Sequence, residues 1–405
     1  MFRYIDKYIQ RFILKIELNN YDKIIFEMEF QLKKYFNSIF KDKTIETMYI
    51  ISVLLFTFKT EVSNSALIDL NPFTSRIIYL LVLLFAMPKI VAQIYTKKDI
   101  CMFVLLFFLA IVCVIYSKTY NLLLIPVIII GTKNSNIKML VKIILYLTLT
   151  IVFIHTIAYF INSINEGINF LSLFTFKREE YRPTIMFKSH NDYGFLATSS
   201  IMQYIYITDR NKRRIIKTIF LVLYSIIIYS LGQSNTSLII SLFSIIYLFF
   251  EEFPFFNKNI LLFEIMSFAF SLFFSLLFPF INPKIGIVSI IDKLLTSRIW
   301  FGYSIKKFLQ ISFIPQPLIF EETLPFYVDN LYLHFLYKWG IVLFIIILFI
   351  VVYLCFFQKN SSIINYFSAI LFMWCIMENY PKLITVTFVP LALFNNYFAN
   401  ISGEK

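Results

Sequence analysis

A long polar segment at about residues 162–188 carries the first residues of this sequence that could perform chemistry. Arg178 and Arg182 each have a planar guanidinium, which can make two parallel hydrogen bonds to a phosphate. A helix that begins just after this segment would present free N–H groups, which suit an anion. Capping of that helix and a solvated loop arginine are the alternative interpretations. Three polar residues stand at its start: His190, Asn191 and Asp192.

A second long polar segment, at about residues 282–328, also carries an arginine. Its apolar residues recur with helical spacing, which predicts a short amphipathic helix over 298–310 with Ser297 as its cap. Arg298 falls in the first turn, where a guanidinium and free N–H groups together would bind a pyrophosphate. The alternative is an arginine that snorkels at a membrane surface. The residues with that spacing are Phe301, Ile305, Phe308 and Leu309.

Carboxylates stand at the ends of two later apolar runs. Asp329 and Asn330 open one run, and His334 lies one turn further on the face of Asn330. Asp329 is therefore either a helix cap or a functional carboxylate. Glu378 ends the next run, where a carboxylate is costly unless it faces water or a partner. His155, deep within another run, is predicted to be packed and hydrogen-bonded.

Twelve apolar runs must position these residues. A helix needs roughly 20 apolar residues to cross a bilayer, and backbone in lipid must satisfy its own hydrogen bonds. We therefore predict an all-α, polytopic integral membrane protein with about 12 transmembrane helices and two large outer loops containing short amphipathic helices. The predicted spans are about 45–60, 74–93, 99–117, 119–131, 137–161, 189–208, 214–231, 235–250, 258–281, 329–357, 361–378 and 381–397.

Composition favours a membrane protein over other classes. The 405 residues are 59% hydrophobic and 15% charged, whereas soluble domains carry roughly 25% charged residues. The net charge of +13 could indicate nucleic acid, but the basic residues cluster at span ends, so no such partner is predicted. The cysteines lie within apolar runs without metal-ligand spacing, so we expect no disulfide, metal or cofactor. They are Cys101, Cys113, Cys355 and Cys375.

The charge pattern also predicts an organisation along the chain. Residues 1–44 are expected to form a basic amphipathic segment in the cytoplasm, because apolar residues alternate there with lysine and arginine at helical spacing. Residues 45–397 form the transmembrane helical domain, and 398–405 form a cytoplasmic tail. The dense basic cluster at 210–214 belongs inside as well, so both termini are predicted to be cytoplasmic.

Taken in order, these motifs resemble the superfamily of polysaccharide polymerases and O-antigen ligases. In that family a later outer loop runs from an arginine-led amphipathic helix to an Asp/His-Asn-x-x-Leu segment and then a glycine. Residues 297–300 and 329–340 match this pattern. The earlier loop matches through Arg182 and the pair His190-Asn191.

Two further positions refine the resemblance. The turn at residues 231–236 resembles a short turn of the family, but Asn235 replaces the usual arginine. Ligases usually carry a histidine where this chain has Asp329, which favours a Wzy-type polymerase. Glu378 also resembles a position of the polymerases.

The resemblance implies a metal-independent, inverting glycosyltransferase at the outer face of the bacterial cytoplasmic membrane. It would transfer a growing glycan from polyprenyl pyrophosphate to a sugar hydroxyl of a new lipid-linked repeat unit. The candidate catalytic residues are Asp329 first, then Glu378 and His190. The candidate residues for binding pyrophosphate or glycan are Arg182, Arg298, Arg178, Asn191, Asn330 and His334.

The implied partners are polyprenyl-pyrophosphate-linked oligosaccharide and membrane lipid, together with a chain-length regulator and a flippase. Two alternative functions stay open at this point. An O-antigen ligase would differ only in its acceptor. A flippase or transporter of lipid-linked oligosaccharide predicts charged residues at several depths of the membrane, whereas here they cluster near the predicted outer rim.

Overall fold

Helices make up the regular structure in the part of the chain that the computed structural model describes, and no strand occurs there. That part covers residues 42–117, 120–165, 185–187, 190–208, 214–295, 297–316, 329–378 and 387–402. Its α-helices are α1 Asp42–Val62, α2 Pro72–Ala92, α3 Lys97–Ser117, α4 Leu124–Gly131, α5 Ile137–Asn165, α6 His190–Ile207, α7 Arg214–Gly232, α8 Asn235–Phe250, α9 Pro254–Leu277, α10 Gly286–Leu294, α11 Arg298–Phe308, α12 Leu331–Phe356, α13 Ser362–Met377 and α14 Val389–Ser402.

Several helix starts follow from local sequence. The Asn71 side chain accepts a hydrogen bond from the N–H of Thr74 and caps α2, and Pro72 occupies the first helical position. Ser234 and Asn330 cap α8 and α12 in the same way. These caps satisfy N–H groups that a helix cannot satisfy itself, which fixes where each run begins.

Among the described residues, six helices are long and apolar enough to cross a membrane: α2, α3, α5, α7, α9 and α12. Their outward side chains are apolar, as in α7, where Ile215, Ile219 and Leu223 are all exposed. Contiguous apolar surface of this kind suits lipid and not water. The predicted all-α membrane class is therefore confirmed for the described residues. The number of twelve spans stays a prediction.

Two predicted spans differ from the observed helices. The short span at 119–131 contains only the eight-residue α4 after a 3-10 turn over Tyr120–Leu123, and eight residues rise only about 12 Å. The last predicted span, 381–397, was wrong as a single helix, because Phe388 has a left-handed φ of 52° and α14 begins after it. Residues 381–386 lie outside the described part.

Polar side chains join α1 to α5 within the membrane domain. Glu61 accepts a 2.6 Å hydrogen bond from Thr148, and the two ring nitrogens of His155 lie 2.8 Å from Ser65 Oγ and from the carbonyl oxygen of Ile151. The His155 ring also stacks on Phe187 at 4.0 Å. The prediction that His155 is packed and hydrogen-bonded is confirmed. These contacts hold the end of α1, and the loop after it, against α5.

Helix α12 is interrupted at Gly340, which has a φ of 76°. The break leaves backbone N–H groups of α12 without helical acceptors, and the segment after α11 accepts their hydrogen bonds. The N–H groups of Ile341 and Val342 donate to the carbonyls of Ser312 and Phe313 at 2.9 and 3.2 Å. Non-helical backbone at membrane depth is tolerated where protein covers it in this way. The second polar segment is thereby tied to α12.

Replacing Gly340 by alanine should destabilise the protein. A Cβ there would lie 2.7 Å from the carbonyl of Ile314, and the left-handed backbone adds about 1–2 kcal/mol for any side chain. Gly286→Ala is the matched control, because a Cβ at Gly286 meets nothing within 4 Å. We expect the melting temperature in detergent to fall for Gly340→Ala alone. Equal melting temperatures for the two variants would contradict this account of the break.

Candidate functional site

The start of α11 depends on Asp292 and not on Ser297. Ser297 occupies the N-cap position, as predicted, but it has a left-handed φ of 64° and its side chain makes no capping bond. The Asp292 carboxylate instead accepts hydrogen bonds from the N–H groups of Ile299 and Trp300 at 2.8 and 3.1 Å. A carboxylate at this position also suits the positive end of the helix dipole. The last turn of α10 therefore fixes the first turn of α11.

The buried face of α11 carries Arg298 into the protein. Arg298, Gly302 and Ile305 are all buried along this face, whereas Phe308 is 50% exposed. A Cβ on Gly302 would lie 2.5 Å from the Cβ of Phe278, so only glycine allows α11 to approach the end of α9 this closely. The observed helix ends at Phe308, two residues before the predicted end.

Arg298 forms ion pairs with two carboxylates. Its Nη1 contacts Asp329 Oδ2, and its Nη2 lies 3.2 Å from Glu378 Oε1. Asp329 immediately precedes the cap of α12, and Glu378 immediately follows α13. Three segments that are far apart in the chain therefore meet at one guanidinium. The side chain of Asp329 is 25% exposed and that of Glu378 only 3%, so Asp329 faces the solvent.

Asn330 fixes this geometry. Its Oδ1 accepts from the N–H of Leu333 at 3.0 Å, while its Nδ2 donates to Ser275 Oγ at 2.8 Å and to the Ile376 carbonyl at 3.1 Å. Asn330, and not Asp329, is thus the cap of α12, and it joins α9, α12 and α13. The amide predicted to bind substrate is used for positioning.

His334, also predicted to bind substrate, lies one turn into α12. Its backbone N–H donates to the carbonyl of Asn330 at 2.9 Å, so the predicted i, i+4 relation to Asn330 is confirmed. The side chain is buried, and its ring meets the edge of Phe335 at 6.4 Å. The His334 side chain is therefore largely shielded from solvent.

The start of α6 contributes a further carboxylate. Asp192 is buried and accepts a 2.8 Å hydrogen bond from the side-chain amide of Asn64, which lies just after α1. Its charge acts on Glu378, so the first turn of α6 lies close to the ion-pair cluster. His190 is the first residue of α6, but its side chain lies outside the described part, as do Arg178 and Arg182.

The turn between α7 and α8 packs on the same start of α6. Ser234 Oγ donates to Asn191 Oδ1 at 3.3 Å, which joins the start of α6 to the turn. Within the turn, the Tyr229 hydroxyl donates to Asn235 Oδ1 at 3.1 Å. A Cβ on Gly194 would lie 2.3 Å from Ser237 Oγ, which shows how closely α6 and α8 approach each other. Asn235 adds no cation at this turn.

Burial dominates the electrostatics of Glu378, which lies beyond the last residue of α13. Desolvation raises the pKa of its carboxyl from 4.5 to about 7; Arg298 opposes this rise, and the negative charge of Asp192 reinforces it. Glu378 Oε2 has no hydrogen-bond partner within the described residues. A carboxyl in this setting can exchange a proton near neutral pH.

Sequence reasoning missed three residues of this site. Asn64 lies in the short polar segment after the first apolar run, and it belongs to no sequence motif. Asp192 was considered only as a cap, and Asp292 was not singled out. The signal that could have found Asp292 is an acidic residue a few positions before a basic helix start.

The fold and the site define an α-helical membrane protein with a buried arginine–carboxylate cluster at the ends of its helices. Compared with protein-family models, with curated proteins and with solved structures, the chain shows no match. Among the described residues, no group of three or more His, Cys, Asp or Glu side chains is arranged to hold a metal ion.

The raised pKa of Glu378 predicts a pH dependence of stability. Between about pH 4.5 and 7 the folded protein binds this proton more tightly than the unfolded chain does, so its contribution to stability falls as pH rises through that window. Glu378→Gln cannot titrate. We therefore subtract the melting temperature of Glu378→Gln from that of the wild type at each pH. We expect this difference to decrease from pH 5 to pH 7.5.

The matched control is Glu252→Gln, because the Glu252 side chain is 65% exposed and pairs with Arg214 at the far end of α8. Its melting curve should run parallel to that of the wild type. If the Glu378→Gln curve also runs parallel across this window, the assignment of a raised pKa to Glu378 is wrong.

Proposed function

We propose that the protein polymerises lipid-linked oligosaccharide repeat units at the outer face of a bacterial cytoplasmic membrane. The observation that carries the proposal is the cluster of Arg298, Asp329 and Glu378. It combines a preorganised guanidinium, a partly exposed carboxylate and a buried carboxylate at the ends of helices. Such a set can bind a diphosphate and accept a proton.

In the proposed reaction an acceptor hydroxyl attacks the anomeric carbon of the growing glycan. A new C–O bond forms with inversion, and the bond to the polyprenyl pyrophosphate breaks, so that the electron pair leaves with the phosphate oxygen. Arg298 stabilises the developing negative charge, together with Arg182 and Arg178 from the first outer loop. The proton of the hydroxyl passes to a carboxylate.

Asp329 is the proposed acceptor of that proton. It is the more exposed of the two carboxylates that contact Arg298, so a sugar hydroxyl can reach it. Glu378 lies behind the guanidinium and holds it in place. Glu378 and His190 are the alternative bases, Glu378 because its pKa of about 7 suits proton transfer near neutral pH. Asn191 is proposed to contact the glycan.

Arg298 and Asp329 are the residues to replace first. Asp329→Asn removes the charge and leaves the α12 cap intact, because the cap is Asn330. We expect surface polymer to fall about 10²-fold or more. Arg298→Ala should cost about 10²–10³ in rate, and Arg298→Lys should recover only part, because lysine lacks the bidentate fork. Gel analysis of surface glycan in a complemented deletion strain measures both effects.

The matched control is Lys307→Ala, a change to an exposed cation on the opposite face of α11 that should leave the ladder unchanged. Protein amount in the membrane is measured for each variant. Normal ladders in both Arg298→Ala and Asp329→Asn would refute the proposed roles. Deletion separates the functions: single-unit glycan indicates a lost polymerase, polymer retained on the lipid carrier a lost ligase, and absent surface glycan a lost flippase.

The proposed topology has twelve spans with both termini in the cytoplasm. It can be tested by cysteine labelling of intact cells in a Cys101→Ser background, because Cys101 is the exposed native thiol among the described residues. Gln310→Cys, after α11, should react with a membrane-impermeant maleimide, and Lys359→Cys, between α12 and α13, should not. Both positions are exposed, so the reverse pattern would invert the topology.

A further inference from the structure

Helix α10 turns its apolar face away from the protein and its acidic residue toward it. Ile287, Ile290 and Ile291 share one face by their i, i+3 and i+4 spacing, and they are 75%, 62% and 42% exposed. Asp292 projects from the other side and is only 8% exposed, because it caps α11. The carboxylate thus faces the protein while the three isoleucines face away from it.

The surroundings of α10 have the composition of a membrane interface. Phe280, between α9 and α10, is 73% exposed, and the Lys306 ammonium lies 5.8 Å from the centre of its ring and 4.3 Å from that of Tyr303. Lys284 and Lys293, at the two ends of α10, are exposed as well. Aromatic rings and lysines of this kind mark the headgroup level of a bilayer.

We propose that α10 lies in the plane of the membrane interface, with its isoleucine face in the acyl chains of the leaflet next to the arginine cluster. The lysines at its ends contact lipid phosphates. The membrane-crossing helix α9 ends nine residues before α10 begins, at Leu277, so the connection brings α10 out at the level of the headgroups. The separation of an apolar and a polar face is what an interfacial helix requires.

This placement would connect the lipid surface to the guanidinium of Arg298. Asp292, on the inward side of α10, holds the first N–H groups of α11, and the first residue of α11 is Arg298. Movement of α10 relative to the membrane would therefore move the helix that carries the arginine. Asp292 acts as a positioning residue, and this second part of the proposal depends on the proposed function.

The test of the lipid contact uses spin labels in phospholipid nanodiscs containing phosphatidylglycerol. A nitroxide on Ile290→Cys, in the Cys101→Ser background, should collide often with oxygen, which concentrates in lipid, and rarely with a water-soluble nickel chelate. Lys284→Cys is the matched control, because Lys284 is exposed just before α10 begins and therefore lies outside the isoleucine face. Its label should show the reverse preference.

Two outcomes would overturn the proposal. Equal access of the nickel chelate to both labels would mean that α10 is in water. Low access of both reagents to the label at 290 would mean that a protein segment or a second copy of the chain covers the face. Neither result depends on enzyme activity, so this test can fail while the proposed function holds, and the reverse is also true.

Asp292→Ala and Asp292→Asn test the connection to Arg298. The amide keeps an acceptor oxygen for the two N–H groups and should keep the polymer ladder, whereas alanine should shorten it at normal protein level. The label at 290 should keep its lipid preference in both variants. A full-length ladder in Asp292→Ala, in a strain where deletion abolishes the polymer, would disprove the positioning role.

Discussion

The buried ion pair between Arg298 and Glu378 is the interaction on which the arrangement of the helix ends depends. Removing two charges from water costs several kcal/mol each, and the cost is recovered only when the geometry holds them together. Here α11 supplies the guanidinium, the end of α13 supplies one carboxylate, and Asp329, just before α12, supplies the other. Any shift of one helix end would leave a buried charge without its partner.

Three local interactions keep these ends in place. Each provides hydrogen bonds to backbone groups that would otherwise have no partner in an apolar surrounding. Asn330 caps α12 and joins it to α9 and α13. Asp292 caps α11 from α10. The N–H groups just after the break at Gly340 donate hydrogen bonds to the carbonyls of residues 312–313. Unpaired backbone groups are most costly in lipid, so the polar segment between α11 and α12 is constrained near both of its ends.

Hydrophobic runs allowed the helices, and most of their ends, to be predicted, because length and apolarity are nearly sufficient in a membrane protein. The pairing of Arg298 with Asp329 and Glu378 could not be predicted, because it joins segments up to 80 residues apart. The choice of Asp292 over Ser297 as the cap depends on a left-handed backbone at Ser297. The proximity of Asp192 to Glu378 depends on how α6 and α13 pack, and sequence period carries no information on that.

The charge balance of the cluster bears on the proposed reaction. Within the described residues, the Arg298 guanidinium pairs with the carboxyl groups of Asp329 and Glu378, and the charge of Asp192 acts on Glu378. A diphosphate adds negative charge to this set, so its binding requires added protons or added cations. Glu378, with a pKa of about 7, can take up the added proton and become neutral. Under the proposed function, Arg178 and Arg182 are suited to supply the added cations, which would give both arginine-bearing segments a role in binding the diphosphate.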